Sequence, residues 1–192
     1  MIGINMKNIE SVNTGNFARP KAGGYVIEIL RVNNNTSGQK LEIEFDIHDG
    51  EFAGYYKQFF QDRGWWSSKL NKSYKGGALK YFKSFIEAVV ASNDNTDGLV
   101  IGDYEDIDET KLVGLLVGMV AGEKEHLTNS GIKIEVLDLS NAKFIPVDDI
   151  KAGNYTVPKL KKLDEPVGAE SSAGVVDLSA GFHPVKDDEI PF

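Results

Sequence analysis

Apolar and polar residues alternate most regularly over residues 41–47, where Leu41, Ile43, Phe45 and Ile47 take one face and Glu42, Glu44 and Asp46 the other. That period of two predicts a strand with one face in the core and one in water. Residues 25–32 predict a strand before it, entered through Gly23-Gly24. Asp49-Gly50 is a turn signal, and the aromatic-rich residues 55–61 predict a third strand that completes a hairpin. The period then changes. Leu79, Phe82, Ile86 and Val89 share one stripe over residues 77–92, widened by Phe85 and Val90, which predicts an amphipathic helix. Residues 93–109 read as an acidic loop. Residues 112–123 predict a strand whose Gly114, Gly118 and Gly122 imply bends or close backbone approach. After a turn at Asn129-Ser130-Gly131, residues 132–147 predict a last strand, broken near Ser140-Asn141.

Three strands, a helix and two strands, with no βαβ alternation, predict a mainly β protein. The order fits an OB-fold-like five-stranded antiparallel barrel with one helix between strands three and four. A plain antiparallel sheet with a helix packed on it is the other arrangement this order permits. Residues 1–19 read as a polar arm and residues 20–163 as the folded body. Residues 164–192 have no usable apolar period and carry seven acids against one base. Such a segment cannot bury enough surface to offset its ordering entropy, so it is expected to be a disordered acidic tail.

Charge refines this division. The chain of 192 residues has a net charge of −8, which taken whole argues against binding a polyanion. The tail holds −6 of it, so residues 1–163 hold only −2. No apolar run is long enough to span a bilayer, and no apolar segment of the signal-peptide kind follows the N-terminus. Cysteine is absent, which removes disulfides, thiolate zinc sites and thiol catalysis. A cytoplasmic protein without membrane association is expected. His48, His126 and His183 have no metal-ligand spacing, and the acids of residues 94–109 follow no calcium-loop pattern. No phosphate-cradling loop or nucleophile elbow occurs. Neither an enzyme, a cofactor nor a metal is expected.

Residues 55–83 carry the distinctive chemistry. They hold nine of the nineteen aromatic residues and seven bases against one acid, Asp62. Binding single strands without regard to sequence needs this pairing: a base stacks on any aromatic ring, while Lys and Arg follow the phosphates. Duplex reading would instead want a helix placing polar side chains on base edges, whereas the one predicted helix is apolar. The candidate single-stranded DNA site is therefore Tyr55, Tyr56, Lys57, Phe59, Arg63, Trp65, Trp66, Lys69, Lys72, Tyr74 and Lys75. Strand periodicity sends about half of such aromatics inward, so one of Tyr55/Tyr56 and one of Phe59/Phe60 are expected in the core. Trp65 and Trp66 follow Gly64 in a predicted loop, where at least one indole is expected to stack on a base.

The chain ends Asp187-Asp188-Glu189-Ile190-Pro191-Phe192: three carboxylates, then an apolar triplet. A partner for this peptide needs a greasy pocket for Phe192 and a basic lip for the acids, a known way of reading short acidic motifs. The ending resembles that of bacterial and phage single-stranded DNA-binding proteins, with Glu189 where an Asp is usual. Ala22-Gly23-Gly24-Tyr25, the residues 41–46 strand and Asp49-Gly50-Glu51-Phe52-Ala53-Gly54-Tyr55 are similar to a group of small phage proteins encoded with replication and recombination functions. The resemblance implies a phage-type single-stranded DNA-binding protein. Such a protein acts in replication, recombination and repair, recruiting host or phage enzymes through its last residues, and a homo-oligomer is compatible with it. A protein that only mimics such a tail, with a body that binds no DNA, is the alternative.

Overall fold

Strand β1 (Gly23–Asn35) is the spine of the fold, with β2 (Lys40–Ile47) on one side and β6 (Leu116–Ala121) on the other. The computed structural model describes residues 18–101 and 106–163; most of the arm, all of the acidic tail and residues 102–105 lie outside the described residues. Strand β3 (Lys69–Ser73) follows β2 and β9 (Lys143–Ile145) follows β6, giving one antiparallel sheet in the order β3-β2-β1-β6-β9. The sheet curls into half a barrel, and a register shift between Ile29 and Arg31 marks an irregularity in its central strand. A short pair, β4 (Val100–Ile101) and β5 (Asp106–Ile107), and a hairpin, β7 (Glu123–Leu127) and β8 (Lys133–Leu137), stand outside the sheet. Among the described residues three α-helices accompany the strands: α1 (Tyr55–Arg63), α2 (Leu79–Ala91) and α3 (Val147–Ala152). The predicted interruption near Ser140-Asn141 is a 3₁₀ turn at Leu139–Asn141. Among the described residues no helix is long and apolar enough to cross a membrane.

The core forms where the sheet meets α2. Ile27, Ile29, Leu41, Ile43, Phe45, Val117 and Met119 from the strands pack with Phe82, Phe85, Ile86 and Val89 of α2. Contacts with β3, β6 and β9 place α2 across the opening between the two sheet edges. Lys72 of β3 completes that seam, its Nζ 3.7 Å from the Phe144 ring centroid of β9 and 5.5 Å from that of Phe85. The predicted helix stripe needs one correction. Leu79 and Val90 are exposed rather than in the core, and with Val100 and Ile107 they line a surface cavity of about 490 Å³. Gly118 meets the expectation of close approach, since a Cβ there would lie 2.6 Å from the Ile145 carbonyl oxygen and from Ile150 Cγ1.

The largest correction concerns residues 55–61, which form α1 and not a third strand. Aromatic content favours a strand, but the aromatics come in doublets four residues apart (Tyr55-Tyr56, Phe59-Phe60), a helical spacing. Asp46 supplies the decisive local contact. Its Oδ1 accepts the backbone N–H of Ile47 and of Tyr56, each at 2.9 Å, and its Oδ2 that of Lys57 at 3.2 Å. Two of these N–H groups belong to the first turn of α1, which has no partner for them within the helix. Gly64, at φ 73°, ends the helix by donating its N–H to the Phe60 carbonyl at 2.7 Å. Asp46 is accordingly buried at 2% exposure, a second correction to the alternating pattern of β2.

Candidate nucleic-acid interface

Helix α1 sorts its aromatics onto two sides. Tyr56 is the inward member of its pair, 6% exposed, with its ring edge-on to Phe45 at 5.2 Å; it supports the site from the core and offers no face for stacking. The second pair departs from expectation, since in a helix neither Phe59 nor Phe60 is buried; Phe60 lies against Trp66 at 5.5 Å, and Trp66 Nε1 donates to Ser68 Oγ at 2.5 Å. Ser68 is fully buried and donates in turn to the Phe45 carbonyl. Trp66 is thereby tied to the body. Trp65, 56% exposed, is the indole left in solvent.

On the other side of α1 the rings form a row. Tyr25 meets Phe52 at 6.4 Å, Phe52 meets Tyr55 at 6.3 Å, Tyr55 meets Phe59 at 6.4 Å and Phe59 meets Trp65 at 5.0 Å. Tyr55 and Phe59 line a cavity of about 510 Å³ whose other lining residues include Arg19, Pro20, Lys21 and, from the hairpin, Glu123, Glu135 and Val136. Tyr25 anchors the segment that carries the two cations, since its hydroxyl donates to the Lys21 carbonyl. Burial pushes the Tyr55 phenol above its ordinary pKa. The row, the cations and the open cleft together can hold a flat ring and an anion side by side.

The predicted basic residues do not all gather there. Lys57 is half exposed and 3.9 Å from Glu28; Arg63 is exposed at the end of α1. Lys69 faces outward from β3 and pairs with Glu44 at 3.6 Å, which Arg31 also meets at 3.3 Å. Lys40 and Glu42 pair beside them at 2.9 Å, so the outer face of β2 and β3 is charge-balanced and carries no ring. Lys72 points into the seam, where burial lowers its pKa to about 8; it braces the fold and does not reach the surface of the cleft. Tyr74 and Lys75 lie beyond the far end of β3. There the Tyr74 hydroxyl donates to Asn34 Oδ1 at 2.9 Å and its ring meets Phe82 edge-on at 5.8 Å.

Tyr25, Phe52, Arg19 and Lys21 join the site without having been picked out of the sequence. Strand pairing and the Tyr25–Lys21 bond assemble them from separate segments, and no local spacing announces that. The hairpin wall is held by Lys124–Asp138 at 3.3 Å and Lys133–Glu125 at 3.1 Å. Residues 161–163 run along β7: Lys161 exchanges backbone hydrogen bonds with Glu123 and Glu125 at 2.9 Å, and the Leu163 N–H donates to the Glu125 carboxylate at 3.0 Å. The terminal peptide 187–192 lies outside the described residues. Among the acids weighed as metal ligands, Asp108 Oδ1 accepts the N–H and hydroxyl of Thr110 at 3.1 and 2.6 Å, the work of a turn cap. No protein-family model matches the chain, and neither a curated protein nor a solved structure matches it.

Proposed function

We propose that this protein is a non-enzymatic, sequence-tolerant binder of single-stranded DNA whose tail recruits replication, recombination or repair proteins. The observation that carries the reading is the row Tyr55–Phe59–Trp65 along a cleft lined by Arg19 and Lys21. Rings accept stacked bases of any identity and cations accept phosphates, the two requirements for holding a single strand. The sheet order β3-β2-β1-β6-β9, with α2 between β3 and β6, supports an OB-type barrel open between its third and fifth strands. In that architecture the β7–β8 hairpin occupies the loop between strands four and five, a usual contact loop of the fold. The strand would run between α1 and this hairpin, not across the outer face of β2 and β3, where Glu42 and Glu44 take up the cations. The acidic tail would follow Leu163, whose N–H is bonded to Glu125 of the hairpin, and would compete for the same cations.

Titrating the full chain with a mixed-sequence oligonucleotide tests this. Binding is expected to saturate and to quench tryptophan fluorescence, with Trp65 as the responding indole. With three to four phosphate contacts, log K against log salt should have a slope of about −2 to −3, at roughly −0.7 per contact. A slope near zero would remove Arg19, Lys21, Lys57 and Arg63 from the path. The two indoles should separate cleanly. Trp65→Ala is expected to weaken binding by about 1–3 kcal/mol, one stacked base, with an unchanged melting curve. Trp66→Ala should instead cost stability, on the order of 2 kcal/mol, through lost packing and the lost hydrogen bond to Ser68. Equal melting losses in both variants would place both indoles in the core and end the stacking assignment.

A further inference from the structure

One wall of the cleft carries charge of the wrong sign for a polyanion. Glu123 and Glu135 line it on the hairpin side, across from Tyr55 and Phe59. The neighbouring hairpin carboxylates are occupied: Glu125 holds Lys133 and the Leu163 N–H, and Asp138 holds Lys124, Ser140 and Asn141. Neither the Glu123 nor the Glu135 side chain has an ion-pair or hydrogen-bond partner among the described residues. An ionised carboxylate only accepts hydrogen bonds, and a DNA backbone offers it no donor. Base edges do. A base lying on the Tyr55–Phe59 wall turns its edge toward the hairpin, the arrangement by which extruded bases are read on their pairing edge between rings.

We propose that Glu135, supported by Glu123, makes this cleft selective for bases that present amino donors, guanine above all. Guanine offers N1–H and N2–H₂ side by side, a match for the two oxygens of one carboxylate. Cytosine and adenine each offer one amino group beside an accepting ring nitrogen. Thymine offers a single N3–H between two carbonyl oxygens that the carboxylate repels. The proposal rests on the single-strand reading and adds a ranking to it: guanine first, cytosine and adenine next, thymine last. A cleft of about 510 Å³ has room for a base and its sugar while leaving the rest of the strand outside, so the preference acts at one position in an otherwise tolerant path.

Fluorescence anisotropy with two labelled 12-mers tests it on the full chain, one all thymidine and one with every third residue changed to guanosine. The guanosine-bearing strand should bind about fivefold tighter or more, as expected for a charge-assisted hydrogen bond. Glu135→Ala, at an exposed position, should bring the two within about twofold, mainly by weakening the guanosine strand as its hydrogen bonds are lost. Equal affinities in the parent protein would overturn the proposal. So would a preference that survives Glu135→Ala, or a variant that tightens both strands alike, which would make the acid merely repulsive. Those outcomes leave the single-strand reading standing, whereas binding to neither strand would remove it and the proposal together.

Discussion

Asp46→Ala is expected to lower the unfolding free energy by about 2–4 kcal/mol, the range for stripping a buried charged acceptor from its donors. The carboxylate is 2% exposed and binds three backbone N–H groups. Alanine leaves two of them, at the first turn of α1, without their carboxylate acceptor. An anion at that end also favours the helix through its dipole, a contribution lost with the side chain. The damage should extend to function, because α1 carries Tyr55, Phe59 and the approach to Trp65. Single-strand affinity should therefore fall even in buffers where the sheet remains folded. Asp46→Asn keeps one accepting oxygen and should lose less in both respects. Urea denaturation followed by circular dichroism measures the first effect. A variant that unfolds at the parent's midpoint would show that α1 is held by other means.

Phe192→Ala is expected to abolish capture of replication and repair proteins from the host while changing single-strand affinity by less than about twofold, since every charge that screening could modulate is kept. On the proposed reading the two roles of the tail would reside in different atoms: the Phe192 ring would anchor in a partner's pocket, and the acids Asp187, Asp188 and Glu189 would compete for the cations of the cleft. Deleting residues 187–192 removes both. Partner capture should disappear, and DNA binding should strengthen, most at low salt. The gain should shrink as the screening length falls toward about 8 Å at 0.15 M. Residue 163, which precedes the tail, is hydrogen-bonded to the hairpin that walls the cleft. Immunoblotting the captured proteins and measuring anisotropy at two salt concentrations separate these effects. If Phe192→Ala retains the same partners as the parent chain, the terminal peptide is not the recruiting element.

Particular residues show what the sequence disclosed. The alternation of Leu41, Ile43, Phe45 and Ile47 and the stripe of Phe82, Phe85, Ile86 and Val89 are periodic, and periodicity survives folding because each side chain buries against its own face. The same logic failed at Asp46, whose place in the alternation is that of a solvent-facing residue. A helix arriving from nine residues later covers it, a long-range event that no local pattern contains. Residues 55–61 were misread for a related reason: their aromatic content suggested a strand, while the four-residue spacing of the doublets and the Asp46 cap chose a helix. That error carried into the site. Tyr55, Phe59 and Trp65 do come together in one row, but Lys69, Lys72, Tyr74 and Lys75, adjacent in sequence, are dispersed by β3 to an ion-paired face, a buried seam and a far end. Arg19, Lys21 and Glu135 reach the cleft only through strand pairing and the hairpin, and their charges in sequence are unremarkable.

Photo-cross-linking with a single-stranded oligonucleotide bearing halogenated uracils, followed by peptide mapping, tests most directly whether the strand lies along the aromatic row of α1. Adducts are expected on Tyr55, Phe59 or Trp65, suppressed by excess unlabelled single strand and not by duplex. Tyr81, 67% exposed on α2, provides the internal control, as an aromatic more open to chance reaction that does not line the cleft. Adducts confined to Tyr81, or spread over exposed rings without competition by single strands, would contradict the account.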